Sequence, residues 1–191
     1  MLVAINWPWK KKKQEQVTSD GLVGIYVSPN SISLAYVKGD TPKDIKLEAF
    51  KHTSTENADE HEVLIKQFVE EHQLEGTPCA YSLHHGEYQL NLIEAPNDAD
   101  IDRINTIKTA LQDMVSSPAE DIDVASFELP VPRASDNKKM AYAVSILKEK
   151  LLPIETMVVN AGLKLKYIDI AEMGLRNLIA AHPANQEGIL F

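Results

Sequence analysis

The chain has little of what makes covalent chemistry, metal binding or membrane insertion legible in a sequence. Cys79 is its only cysteine, so no intrachain disulfide can form and a thiolate metal site would need His or carboxylate help. A reducing, cytoplasmic setting fits that usage. Positive charge is scarce: 19 Lys and Arg stand against 28 Asp and Glu, for a net charge of -9 and a pI near 5.1. Affinity for a phosphate backbone comes mainly from clustered cations, and no aromatic-rich basic face offsets the deficit, so nucleic acid is not an expected partner. No apolar run approaches the roughly 20 residues of a membrane-spanning helix. GxGxxG and Walker lysine loops are missing, and His61-Glu62 lacks the second His that a zinc-protease helix needs one turn later, where Ile65 stands. What remains is a chain of 191 residues, 44% hydrophobic and 25% charged, with the composition of a soluble globular protein of one domain or two small ones.

Residues 1–16 read as a polybasic N-terminal tail. Leu2, Val3, Ile5, Trp7 and Trp9 precede Lys10, Lys11, Lys12 and Lys13, the reverse of a signal peptide, which carries its charge first and a longer apolar run after it. Trp beside a polybasic cluster suits the headgroup layer of an anionic membrane, and a solvated tail is the plainer reading of the same residues. Gly21 to Val37 then gives two β-rich runs around Ser28-Pro29-Asn30-Ser31, a β-hairpin signature. Gly39-Asp40-Thr41-Pro42 is a turn, and Ile45 to Phe50 alternates as a half-buried strand does. Three antiparallel strands should open the fold.

Asn57 and Glu60 have the spacing of a capping box ahead of Leu64, Ile65, Phe68 and Val69, a helix expected to end near Gln73. Short strands follow at Cys79 to Leu83 and Tyr88 to Ile93. Ile101, Ile104, Ile107, Leu111, Met114 and Val115 form a helical stripe begun near Asn97 or Asp98 and stopped by Pro118. Val124 to Leu129 and Met140 to Leu147 are strand candidates. Pro153 sits as a first-turn proline would, ahead of a helix that Gly162 ends in the left-handed conformation. Leu165 to Ile170 is a strand, Ala171 to Ala181 a helix, and Gly188 to Phe191 looks like the start of another strand.

Few of the chemistry-bearing side chains gather. His84 and His85 are neighbours in or beside a strand, point to opposite faces and cannot share a metal, so they read as structural. Cys79 lies in an apolar strand with no base nearby and reads as a small core residue. Asp98, Asp100 and Asp102 lack the Gly and Glu of a calcium loop and suit a helix start, while Asp121 and Asp123 fit a solvated strand edge.

Taken in order, the polybasic start, Gly-Leu-Val-Gly-Ile at 21–25, Gly76-Thr77-Pro78-Cys79, Glu87-Tyr88-Gln89-Leu90 with Glu94-Ala95-Pro96, Phe127-Glu128-Leu129-Pro130, Ala161-Gly162-Leu163, and Ile168-Asp169-Ile170-Ala171-Glu172 with Leu175-Arg176-Asn177-Leu178 form a pattern. From about Lys10 onward it resembles the PilM-like type IV pilus biogenesis proteins, their MSHA-pilus branch in particular, and more distantly the FtsA cell-division proteins, all of the actin-like ATPase superfamily. The resemblance implies an α/β fold: an RNase-H-like, mixed-sheet subdomain at 17–85 plus 164–191, incomplete at its C-terminal end, interrupted by a small SHS2-like α/β subdomain at 86–163. A second lobe would lie outside this chain.

It also implies a phosphate-binding turn, onto which Gly24, Tyr26, Ser28, Asn30 and Ser31 fall as a remnant. The family's acidic residue, which organises the metal and its waters, is replaced by Tyr26, and the family's Lys near the start of the second strand by Ser33. No cofactor is therefore expected of this chain alone, and ATP with Mg2+ only together with a second lobe. The implied partners are the cytoplasmic tail of a PilN-like inner-membrane protein, in a groove involving Asp100 to Val115 and the strand around Phe127, and other pilus assembly proteins. Peripheral contact with anionic lipid through Trp7, Trp9 and Lys10 to Lys13 is the further expectation. The implied place is the cytoplasmic side of the inner membrane. Two readings follow: a non-catalytic scaffold of a pilus or secretion platform, and an ATP-dependent actin-like or sugar-kinase-like enzyme of which this is the first lobe.

Overall fold

The computed structural model describes residues 21–39, 44–96, 100–129 and 139–181. The N-terminal tail, most of the 39–42 turn, the expected helix start at Asn97 or Asp98, the polar run after Pro130 and the expected strand at 188–191 lie outside them. The chain divides into two compact units: residues 85–153 form most of one, inserted within the other, which resumes at Ile154.

The first unit starts with the hairpin read from the sequence. β1 (Gly21–Ser28) and β2 (Ser31–Lys38) pair antiparallel over their whole length, joined by Pro29 and Asn30. β3 (Lys46–Ser54) runs antiparallel to β2 and is longer than its alternating core suggested. α1 (Asp59–His72) follows, then β4 (Pro78–Leu83), which pairs parallel with β1 on the side away from β2. After the insertion, β8 (Lys164–Ile170) pairs parallel with β4 and α4 (Ala171–Ala181) follows it. The sheet is therefore mixed, in the order β3-β2-β1-β4-β8. Val23, Ile25, Ile32 and Leu34 alternate onto one buried face, against which α1 contributes Ile65, Phe68 and Val69. β4, flanked by parallel neighbours, buries Cys79, Tyr81 and Leu83 completely or nearly so, which places Cys79 in the core as expected.

Two helix ends set up the parallel pair. α1 closes with Gln73 in the left-handed region, φ 56° and ψ 47°, and Leu74 N–H donates to Val69 O at 2.9 Å while Gln73 N–H donates to Glu70 O at 3.3 Å. α3 (Lys148–Asn160) ends on Gly162, φ 87°, with Leu163 N–H donating to Val158 O at 3.2 Å and Gly162 N–H to Val159 O at 3.0 Å. Both are Schellman closures with a buried leucine just past the turn. Gly76 N–H donates to Gly162 O at 2.7 Å and Lys164 N–H to Thr77 O at 2.9 Å, so the two ends enter β4 and β8 side by side.

Two local expectations are corrected. The N-cap of α1 is Ala58, with no side-chain cap; instead of closing a box with Asn57, the Glu60 carboxylate accepts from Glu56 N–H at 3.3 Å. Pro153 lies inside α3, not in its first turn, because the helix begins directly after the preceding strand at Lys148, whose N–H donates to Asp121 O at 2.9 Å. A proline there removes one i to i−4 hydrogen bond where the chain passes from one unit to the other. That passage comes earlier than the expected return at Lys164, since the second part of α3 makes its contacts in the first unit, including Asn160 Nδ2 to Glu62 Oε2 at 3.3 Å.

The second unit is a three-stranded antiparallel sheet, β5 (Tyr88–Glu94), β7 (Met140–Leu147) and β6 (Ile122–Glu128), with β7 in the middle. α2 (Asp100–Leu111) lies on one face: Ile107 and Leu111 pack with Ile93, Ile122, Val124, Ala141 and Ala143. The helix stops short of the expected Val115, which still joins this core, while Met114 is left exposed. Arg103 ties α2 to β6 through Glu128 at 3.1 Å, and Lys108 donates to Ala119 O at 2.8 Å. Burial and the nearby Lys148 ammonium hold the Lys108 amine below its usual range.

Candidate functional site

The expected phosphate turn exists as a shape, with its hydroxyls engaged among themselves. Ser28 Oγ and Ser31 Oγ are 2.7 Å apart, Ser28 Oγ also lies within reach of Asn30 Oδ1 at 3.3 Å, and Asn30 O accepts from Thr55 N–H at 2.9 Å. Gly24 is not required by packing, because an added Cβ would meet only Ala35 O at 3.9 Å. Tyr26 stands half-buried in β1, its ring 6.2 Å from that of His84 at an angle of 43°.

Register extends this site beyond what the sequence singled out. Tyr26 is opposite Ser33 on β2 and Ser82 on β4; Ser33 is opposite His52, to which its hydroxyl bonds at 2.9 Å, and Ser82 is opposite Asp169. A polar row, His52-Ser33-Tyr26-Ser82-Asp169, thus crosses all five strands on the face opposite Ile25 and Leu34. Burial raises the Asp169 carboxyl from 3.8 to about 6, against the opposing pull of the Ile170 N–H that it accepts at 2.9 Å. No signal in the sequence joined these residues, since the row depends on which strands become neighbours. The Mg2+–phosphate group that the sequence resemblance implies asks for a carboxylate on β1 and for available hydroxyls. A phenol and a closed hydroxyl pair stand there, and among the described residues no three His, Cys, Asp or Glu gather as metal ligands. The residues present do not fit that group.

His61 is a core residue, 5% exposed, bonded to Thr55 Oγ1 at 3.0 Å, and desolvation lowers its pKa.

In the second unit, α2 and the strand around Phe127, the two elements expected to line a groove, pack against each other, and the Phe127 side chain itself faces the other way. Phe127 is opposite Tyr142, and Tyr142 is opposite Leu92, so these three form an apolar row on one face, with the Phe127 and Tyr142 rings 5.5 Å apart. α2 packs on Ile122, Val124 and Ala141, which alternate onto the other face. The helix and Phe127 cannot line one groove on that sheet, because successive strand residues point to opposite sides. Leu92 is 40% exposed, whereas Val144 and Ile146 on the same face are buried. Trp7, Trp9 and Lys10 to Lys13 lie outside the described residues, and no helix among the described residues is long and apolar enough to cross a membrane.

No protein-family model matches the sequence, and no curated relative does. Solved structures do match in fold. A chain of the PilM-PilN type IV pilus biogenesis complex aligns over 83% of this chain and 50% of its own length, at 16% identity and a TM-score of 0.69. The cytoplasmic domain of EpsL, an inner-membrane component of the type II secretion system of Vibrio cholerae, aligns over 78% of this chain and 56% of its own, at 14% identity and a TM-score of 0.56. The chain spans about half the length of either. Its fold is one lobe of the actin-like ATPase class, a mixed-sheet subdomain interrupted by a smaller α/β unit.

Proposed function

We propose that this chain is a cytoplasmic scaffold component of a type IV pilus of the MSHA kind, an MshI-like protein, or of a related secretion platform. It works at the inner face of the inner membrane by holding the cytoplasmic tail of a PilN-like membrane protein and other assembly components. The observation that carries the reading is the likeness, over 83% of the chain, to a chain of the PilM-PilN type IV pilus biogenesis complex. The sequence pattern from Gly21 to Leu178 points the same way. Titration of the purified chain with the cytoplasmic peptide of the cognate PilN-like protein tests it: saturable micromolar binding is expected, and binding seen only with a longer chain would sink the proposal. The N-terminal Trp and Lys cluster adds salt-sensitive affinity for anionic lipid, checked by co-sedimenting liposomes with this chain and with one that begins at Val17.

The enzyme reading has the Ser28-Ser31 turn in its favour and Tyr26 against it. We infer that the chain does not turn over ATP, since the closed hydroxyl pair and the phenol leave no metal-organising group on β1. Calorimetry with ATP and Mg2+ should show no micromolar binding. Such binding, abolished by S28A with S31A, would restore the enzyme reading.

A further inference from the structure

A cavity of about 110 Å³ lies within the second unit, where β5 and β6 begin, β7 ends and α3 starts. Val115 and Ile122 line its apolar side, and Ser117, Ser145 and Lys150 its polar side. Among the described residues, Ser145 is the one polar residue of this unit that is buried as a whole, at 3% exposure. It interrupts the apolar run of the central strand β7, on the face that Ala141 and Ala143 give to α2. A hydroxyl set among apolar residues costs free energy unless it meets a polar partner, and this one lines a cavity. Lys150, in the first turn of α3, donates to Gly86 O at 3.4 Å, the limit of a hydrogen bond. Among the described residues it has no carboxylate within ion-pair distance. Lys108 and Lys148, by contrast, are turned onto the carbonyls of Ala119 and Glu120 and do not line the cavity.

We propose that this cavity is a binding site for a small monocarboxylate, whose carboxylate takes the Lys150 ammonium and the hydroxyls of Ser145 and Ser117 while a short apolar stem rests on Val115 and Ile122. The two oxygens of a carboxylate accept several hydrogen bonds, and those from an ammonium are the stronger kind. Volume sets the size: a cavity of roughly 150 Å³ takes benzene, so about 110 Å³ takes a ligand of about five non-hydrogen atoms, the size of propionate. Glu87 also lines the cavity. Its charge repels a second carboxylate, which excludes dicarboxylates, and offers a partner to the ammonium of a small amino acid. The shared chemistry is one carboxylate on a short stem, borne by a free acid or by an amino acid. The site also touches both connections of the second unit, with Gly86 just after the chain enters it at His85 and Lys150 just before the chain leaves it at Pro153. A ligand held by Lys150 therefore fastens the start of α3, where Pro153 removes a helical hydrogen bond. This inference does not depend on the partner proposed above.

The test is an amide-resolved NMR titration of the full chain with propionate, and with propionamide, succinate, alanine and phosphate at equal ionic strength. Propionate should give shifts at Gln89, Ser145 and Lys150 that saturate at millimolar ligand, the range open to so few atoms. Propionamide and succinate should bind at least tenfold more weakly. Lys150→Met should weaken propionate at least tenfold and Ser145→Ala severalfold, while Lys148→Met, which removes a nearby charge outside the cavity, should leave affinity unchanged. Alanine separates the two sources of the carboxylate. Binding tighter than propionate and lost in Glu87→Gln assigns an amino acid, binding no tighter assigns a free acid, and either result supports the site. Phosphate that binds as well as propionate, or an affinity unchanged in Lys150→Met, would reveal a diffuse response to anions and overturn the proposal. The absence of saturable shifts at these residues would overturn it as well.

Discussion

The two sheets solve the same problem, burying one face of a few strands, and leave opposite residues on the other. In the five-stranded sheet the second face carries hydroxyls, a phenol, an imidazole and a carboxyl in one row. In the three-stranded sheet the corresponding row is Leu92, Tyr142 and Phe127. The first arrangement is a polar row with Tyr26 at its centre. The second is apolar, with Leu92 its exposed member. The one buried side-chain donor without a partner among the described residues, Asn91 Nδ2, is in the second unit.

The sharpest way to test whether the two units behave as separate bodies is to damage one core. Leu111 is fully buried between α2 and the three-stranded sheet, and Leu111→Ala should cost about 3 kcal/mol through lost burial and a partly collapsed cavity. Hydrogen exchange should then quicken through β5, β6 and β7 while β1, β2 and β4 keep their protection. Uniform loss across both sheets would show that the division into units is geometric only and that the chain unfolds as one body.

A second prediction concerns the polar row. The folded pKa of Asp169, about 6, lies above its ordinary 3.8, so between those values the folded chain holds a proton that the unfolded chain has released. Stability from this group is fully present below pH 3.8 and is lost as pH rises through about 6. Asp169→Asn keeps an oxygen for the Ile170 N–H and removes the charge, so it should stabilise the protein at pH 7.5 by about 1–2 kcal/mol, allowing for partial solvent access. His61 acts in the other direction, because its lowered pKa makes stability fall as pH drops below 6.5. Comparing urea midpoints of the variant and the parent isolates Asp169 from that background. The gain should vanish by pH 4, and a gain independent of pH would mean that charge at Asp169 is not its source.

Local order was legible in the sequence wherever one strand or helix decides its own fate. The hairpin, the left-handed Gly162 and the range of α4 follow from side-chain period and turn chemistry. The expected half-burial of Ile45 to Phe50 does not hold, since Ile45, Leu47 and Phe50 are exposed and the extra residue Glu48 breaks the alternation. Pairing was not legible, because β4 and β8 become neighbours only after a whole unit has intervened between them. The row ending at Asp169 depends on such a pairing, which is why the site was seen as a turn; α2 does pack on the strand around Phe127, and the face that Phe127 takes follows from the pairing of β6 with β7. Pro153 misled for a local reason: it resembles a helix start, and the chain tolerates it inside α3 because β7 runs directly into the helix at Lys148.

The smallest expected effect compares the two helix ends that lead into β4 and β8. They share the same Schellman hydrogen bonds, yet one uses Gly162 and the other Gln73 at a positive φ. A Cβ at Gly162 would meet Glu75 Cγ at 3.6 Å and Val69 Cγ1 at 3.7 Å, ordinary contacts, so Gly162→Ala should lose about 1 kcal/mol from backbone strain alone. Gln73→Gly relieves the same strain and gives part of it back by loosening the unfolded chain, so it should gain about 0.5 kcal/mol. Chemical denaturation of both variants checks the pair. Equal and opposite changes would mean that the unfolded-state term is negligible here, and a loss at Gln73→Gly would mean that the glutamine side chain holds the α1 terminus by a contact stronger than its strain.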